Sequence, residues 1–329
     1  HCSASIAQIS WQNTCGAANP HSDDIATPSD RAAVPDTVVV PVVFHILTQG
    51  GVENISKEQV LHALELLNRD YNNLNPDTLN NPFQQFRGNP KIEFRLARIA
   101  PDGACTDGIE RIYTPYTYGP GGTGNHFNLQ PLFDWDHKRY INVYVVNWIE
   151  IVNDFNIAGI SYITPVSSVA NHPEFNDAIT ICFNALGDGF NGLPRLYNGS
   201  TLSHEMGPFL GVLHTWGELD DCSDDDLVAD TPKQADANTY CPTYPTISCN
   251  NGPQGDMFLN LMDYTDCRFM FSQGQVDRMR SCLGLHPWRI DQWTFDNQIM
   301  TGIYEALPPC EMPPIADFGY GNFANWLGA

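Results

Sequence analysis

Apolar residues in this chain come in short runs with two distinct periods. Val38 to Leu47 is almost continuously apolar, interrupted by Pro41 and His45, and reads as a β-rich strand. Ser56-Lys57-Glu58-Gln59 has the form of a capping box. Behind it Val60, Ala63, Leu64, Leu67 and Tyr71 fall at helical spacing, so a helix should cover one face of a sheet. Ile92, Phe94 and Leu96 alternate with charged residues, which predicts a strand. Further strands are expected over Tyr140–Trp148, Gly159–Ile163 (an edge strand) and Ala178–Phe183. Helices are expected from near Ser200 to Leu210 and from Gln273 to Cys282. Residues 72–90 and 114–126 read as irregular, and the chain after His214 is rich in loops. Residues 1–36 are polar and aperiodic, an extended leader.

Composition narrows the class. The chain has 329 residues with 42% hydrophobic content, enough for one large domain or two modest ones. Asp and Glu outnumber Lys and Arg by 38 to 16, giving a net charge of −22. That balance argues against nucleic acid and anionic membranes as partners, since both attract basic surface. The apolar runs stop far short of the ~20 residues a membrane-spanning helix needs. Ten cysteines without a C-x-x-C pair suggest disulfides and a secreted protein. The chain opens on His1, so a signal peptide is expected to have been removed or omitted.

The densest chemistry lies in His204-Glu205-Met206-Gly207-Pro208-Phe209-Leu210-Gly211-Val212-Leu213-His214. It differs from the zinc-protease pattern H-E-x-x-H-x-x-G-x-x-H at one position. In that pattern two histidines four apart share a helix face and hold one Zn²⁺. The glutamate takes a proton from bound water, and the glycine turns the chain so that a third histidine can reach the metal. Here the middle ligand position is Pro208. Proline cannot bind metal, and it sits well inside the expected helix, where it deletes a backbone bond at a cost of about 3 kcal/mol. His204 and Glu205 should therefore lie beside a kink.

Downstream, Asn260-Leu261-Met262-Asp263-Tyr264 carries a methionine where metzincins place their Met-turn. Val228–Gln234, Gly255–Tyr264 and Phe271–Met279, with the opening strand Val38–His45, resemble the pappalysin family of metzincins over residues 37 to 305. The resemblance implies an α/β metzincin-like fold: a twisted mixed sheet with two long helices, a backing helix and an active-site helix, above an irregular disulfide-rich subdomain. It divides residues 37–305 into an upper part, 37–214, and a lower part, 215–305. It also implies a zinc-dependent endopeptidase acting on protein or peptide, with His204 and His214 as zinc ligands and Glu205 as general base. Met262 would lie beneath the metal site, and Tyr264 would donate to the oxyanion. Asp226 and Thr231 are implied calcium ligands, although the acidic run Asp220–Asp230 can equally be a solvated loop. The resemblance favours Cys222–Cys249 and Cys241–Cys267 as disulfides. Cys15, within Thr14-Cys15-Gly16, resembles a pro-segment cysteine that blocks the metal; a Cys2–Cys15 disulfide is the plain alternative. Arg268 stands where relatives carry an acidic residue in the substrate pocket, which would disfavour basic side chains there. Residues 306–329 resemble a linker and the first strand of an immunoglobulin-like module of the polycystic-kidney-disease type.

Pro208 leaves three readings open. The chain can be a natural pseudoprotease that keeps its cleft as a peptide- or protein-binding module. The proline can be an introduced change in an otherwise active protease. Or another group can supply the missing ligand, with His45, His62, His126, His172 and His286 as candidates by residue type alone.

Overall fold

A computed structural model describes residues 34–75, 81–118, 133–149, 157–161, 177–189, 199–217, 219 and 221–305. In chain order its elements are β1 (Val38–Thr48), α1 (Lys57–Tyr71), β2 (Arg87–Gly88), β3 (Ile92–Leu96), β4 (Ile109–Tyr113), β5 (Ile141–Val146), β6 (Gly159–Ile160), β7 (Ile179–Cys182), α2 (Thr201–Phe209), β8 (Phe271–Ser272), α3 (Gln273–Leu285) and α4 (Phe295–Met300).

The main sheet runs β3-β1-β5-β7-β6, with β4 also paired to β1. Its pairs are parallel except β6 against β7, which is antiparallel, so the sheet is mixed as expected. β1 is buried along almost its whole length. A parallel strand covered on both faces has no reason to alternate polar and apolar residues, which accounts for its continuous apolar sequence. β3 pairs with the first half of β1, and β4 with the second. Between them the chain leaves the sheet and returns at Gly108, whose φ of +72° and close approach to Ala97 exclude a side chain. β4 was not expected from sequence, because the adjacent charged residues Glu110 and Arg111 break the alternation of Ile109 and Ile112.

α1 forms where its apolar spacing predicts. Ser56 Oγ accepts the Gln59 N–H at its start. The Gln59 side chain reaches across and donates to the carbonyls of Phe183 and Leu186, tying α1 to the end of β7. Leu67, Tyr71 and Val60 join the strands and α2 in one core cluster, which also contains Leu261 and Met262. Residues 34–36 lie against α3: Val34 packs on the core, and Arg280 donates to the carbonyls of Pro35 and Asp36.

α2 spans only nine residues, Thr201–Phe209, so the expected long active-site helix is short. It runs through Pro208 and stops at the next residue. Val212 N–H donates to Gly207 O and Gly211 N–H to Pro208 O, with Gly211 at φ +85°. This is a Schellman termination, with glycine at the left-handed position that the motif requires. Pro208 is thus inside the helix but in its last turn, so the bond lost to the His204 carbonyl and the crowding of that carbonyl by the ring fall on one turn.

Candidate active site

α2 is held from several sides. The Tyr71 hydroxyl donates to Ser203 O at 3.1 Å, and Ser203 Oγ donates to the buried Asp70 carboxylate. At the N-terminal end Ser200 Oγ accepts from Arg268 Nε at 2.9 Å. At the C-terminal end two buried arginines reach carbonyls of the turn: Arg289 Nε meets Phe209 O at 3.2 Å, and Arg278 Nε meets Gly211 O at 2.6 Å. The Arg289 guanidinium also lies 3.6 Å from the centroid of the Phe209 ring. Cations there complement both the helix dipole and its unpaired carbonyls. The turn they hold is the one that carries the chain back to His214.

His204 and His214 face each other as stacked rings with centroids 5.3 Å apart. His204 Nδ1 bonds to Leu261 O at 2.6 Å, which directs its Nε2 away from the Met-turn backbone. The Tyr264 hydroxyl lies 3.2 Å from His214 Nε2. Trp216 stacks flat on the far face of His214, with centroids 4.5 Å apart. Met262 is fully buried beneath Gly207, where an added Cβ would collide with its Sδ. Thr215 N–H and Met262 O are 3.4 Å apart and join the two segments through the backbone. His204, His214, Met262 and Tyr264 are therefore brought together, although 60 residues separate the first from the last, and Glu205 follows His204 on the same helix.

Burial pushes the His204 imidazole well below its usual range, and the nearby Arg268 and His214 add to the shift. Burial, then Arg268, brings His214 down to about 4. Both rings are neutral at pH 7, the state in which imidazole ligates metal. Arg268 is itself only 3% exposed and donates to Asp263 O at 2.7 Å. Its charge bears on the histidine pair from inside the protein, an effect the sequence did not suggest.

Pro208 stands where the middle ligand of the pattern would be. Among the described residues no three His, Cys, Asp or Glu side chains converge to hold a metal ion. A three-imidazole zinc site does not fit the residues present. His45 is fully buried in β1, between Glu110 Oε2 at 2.7 Å and Asn142 Oδ1 at 2.8 Å. His62 lies on α1 beside Glu65, and His286 accepts from the Trp288 N–H. His126, His172 and Cys15 lie outside the described residues.

Below the site, Cys222–Cys249 and Cys241–Cys267 are both bonded, the pairing that the resemblance implied. Thr231 Oγ1 donates to Asp226 Oδ1 at 2.6 Å, and both residues are buried. Burial raises the Asp226 carboxyl to about 7, more than the Thr231 hydroxyl, the Val228 N–H and the charge of Arg278 pull it down. Asp263 organises the turn between Met262 and Tyr264: it accepts from the N–H of Asn238 and Tyr264 and from the side chains of Asn238 and Gln234. Asp263, Arg278 and Arg289 went unread in the sequence. The partners of the arginines lie 67 and 80 residues away in the chain, so no local pattern marks them.

Residues 131–284 match the family model described as pregnancy-associated plasma protein-A, a peptidase family. An extracellular metalloprotease of Aspergillus oryzae is 43% identical over 266 residues, covering 76% of this chain and 77% of that protein. One from Arthroderma otae is 25% identical over 282 residues, covering 82% and 90%. Among solved structures, mature mirolysin of Tannerella forsythia in complex with a cleaved peptide superposes with a TM-score of 0.69 at 32% identity, covering 81% of this chain and 99% of that one. With the paired histidines above a buried methionine, these likenesses place the chain in the pappalysin family of metzincin metallopeptidases.

Proposed function

We propose that this chain descends from a secreted endopeptidase that cleaves protein or peptide substrates, and that Pro208 impairs it. The observation that carries this is the intactness of everything around the proline. Glu205 is buried next to His204 in α2, Tyr264 faces the histidine pair, and Met262 fills the floor beneath. In this reading Glu205 accepts a proton from the attacking water, and the Tyr264 hydroxyl donates to the carbonyl oxygen as it gains charge. Two imidazoles are one short of the zinc-holding set, so the chain as it stands holds zinc weakly or not at all.

The neighbouring assignments belong to the same reading. Asp226 and Thr231 face each other in a loop whose carbonyls can complete a calcium site, and a divalent cation would offset the buried carboxylate. Arg268, buried beside the histidines, sets a positive charge at the base of the cleft and disfavours basic substrate side chains. Cys15 is the candidate blocking group of the leader, and 306–329 the start of a further module. Relatives named as extracellular and the disulfides support secretion. No helix among the described residues is long and apolar enough to cross a membrane.

The test is Pro208→His, assayed on denatured protein with and without a chelator, with bound zinc counted by elemental analysis. The reading requires chelator-sensitive hydrolysis and about one zinc per chain. Persistent inactivity in a folded variant would overturn it. A second reading has its own support. The Tyr264 hydroxyl lies within hydrogen-bond reach of His214 Nε2, one of the nitrogens a metal would need, which suits a non-catalytic peptide-binding cleft. Such a cleft would bind unfolded peptide in chelator, by calorimetry, as well as in zinc.

A further inference from the structure

β6 runs beside α2 and meets it at Glu205. Gly159, in β6, and Ser161, just past its end, both meet Glu205. A Cβ added at Gly159 would lie 2.7 Å from Glu205 Cγ and 2.9 Å from its Oε1, so any larger residue must push the glutamate aside. Ser161 Oγ lies 2.6 Å from Glu205 O and 3.2 Å from Glu205 Oε2. Ser161 is 7% exposed and Glu205 4%, so little water reaches the pair. A hydroxyl has one proton to give. Here the main-chain oxygen is the nearer acceptor and the carboxylate the second. The serine is thereby fastened to the backbone of the residue whose side chain it also touches.

We propose that Ser161 is a positioning residue for Glu205, and that with Gly159 it forms a seat holding the carboxylate against β6. The inference rests on the reading of Glu205 as general base. Proton transfer falls off quickly when a base is misplaced, and glutamate has three side-chain torsions to misplace it with. A hydroxyl at the end of the edge strand restricts those torsions at small cost, because β6 is already fixed to β7.

Two measurements test it. Crystal structures of Ser161→Ala and Ser161→Thr in the chain as it stands read the position of Glu205 directly. The carboxylate is expected to leave β6 in the alanine variant and to return in the threonine variant, which restores a hydroxyl. In the Pro208→His background, Ser161→Ala should lower kcat about tenfold with KM unchanged, and Ser161→Thr should recover most of the loss. An unmoved Glu205 in Ser161→Ala overturns the seat, and so does an unchanged kcat. If Pro208→His is inactive, the general-base reading falls and the positioning role with it. The crystal comparison then still decides whether the seat holds the side chain.

Discussion

The two walls of the site are built by different physics. The upper wall is a sheet whose strands and helices share one large apolar core. The lower wall, from Gly211 to Met270, contains no helix or strand among the described residues. Val212, Leu261 and Met262 reach into the large core, and the rest has a small cluster in which Met257, Phe258, Leu259 and Met270 pack with Phe83. Two disulfides, the bonds converging on Asp263 and the reach of buried arginines substitute for a core. Burial fixes the upper wall and specific links fix the lower, so the lower wall should fail first, and at named bonds.

The largest expected effect is at the C-terminal end of α2. Arg289 is fully buried, forms two bonds to the Asp177 carboxylate, and caps α2 through Phe209 O. Removing one member of a buried pair strands the other charge, at about 3–5 kcal/mol. Arg289→Ala should lower stability by that amount in chemical denaturation. A loss under 1 kcal/mol would show that the apolar core, not the ion pair, holds the helix end.

Reduction comes next. Cys222–Cys249 closes a separation of 27 residues, for which chain-entropy arguments give about 3–4 kcal/mol. Replacing both cysteines by alanine should raise amide exchange across 215–267 while β1 and β5 stay protected. Uniform loosening of both walls would contradict the division.

Acid probes the same ion pair reversibly. Burial alone would push the Asp177 carboxyl up; the charge and hydrogen bonds of Arg289, aided by His137, overcome this and hold it at about 2. A carboxyl depressed on folding stabilises fully above the unfolded value near 4, and the contribution vanishes as pH falls through about 2. The difference corresponds to about 2 kcal/mol. Stability measured between pH 4 and 2 should fall by that amount and fall less in Asp177→Asn. His214, with a pKa of about 4 when folded, loses its contribution in a higher window, as pH drops from about 6.5 to 4.

The same division explains what could be read from the sequence. Runs such as Val38–Leu47 and the helical spacing after Ser56 express burial, and burial leaves a period; β1, α1, β3, β5, β7 and α3 were legible for that reason. The site was legible through His204, His214 and Met262 because their spacing is itself the chemistry. What stayed hidden depends on contacts between distant residues. Ser161 on Glu205, Arg268 on Ser200 and Arg289 on Phe209 join positions 44 to 80 residues apart. Pro208 falls inside α2 as expected, but Gly211 ends the helix so soon after it that the proline occupies the last turn.

The smallest effect separates the two kinds of damage that Pro208 does. A proline inside a helix costs about 3 kcal/mol through the lost bond and the crowded carbonyl four residues back, but α2 ends one residue after Pro208 and its last turn can relax most of that, so Pro208→Ala should gain roughly 1 kcal/mol. Alanine restores the backbone donor and no ligand; histidine restores both. If the proline acts through the missing imidazole, the alanine variant melts slightly higher than the parent chain and hydrolyses nothing, while the histidine variant hydrolyses. If alanine alone brought back activity, the defect would lie in the placement of His204 and Glu205. Two imidazoles would then be enough for this cleft.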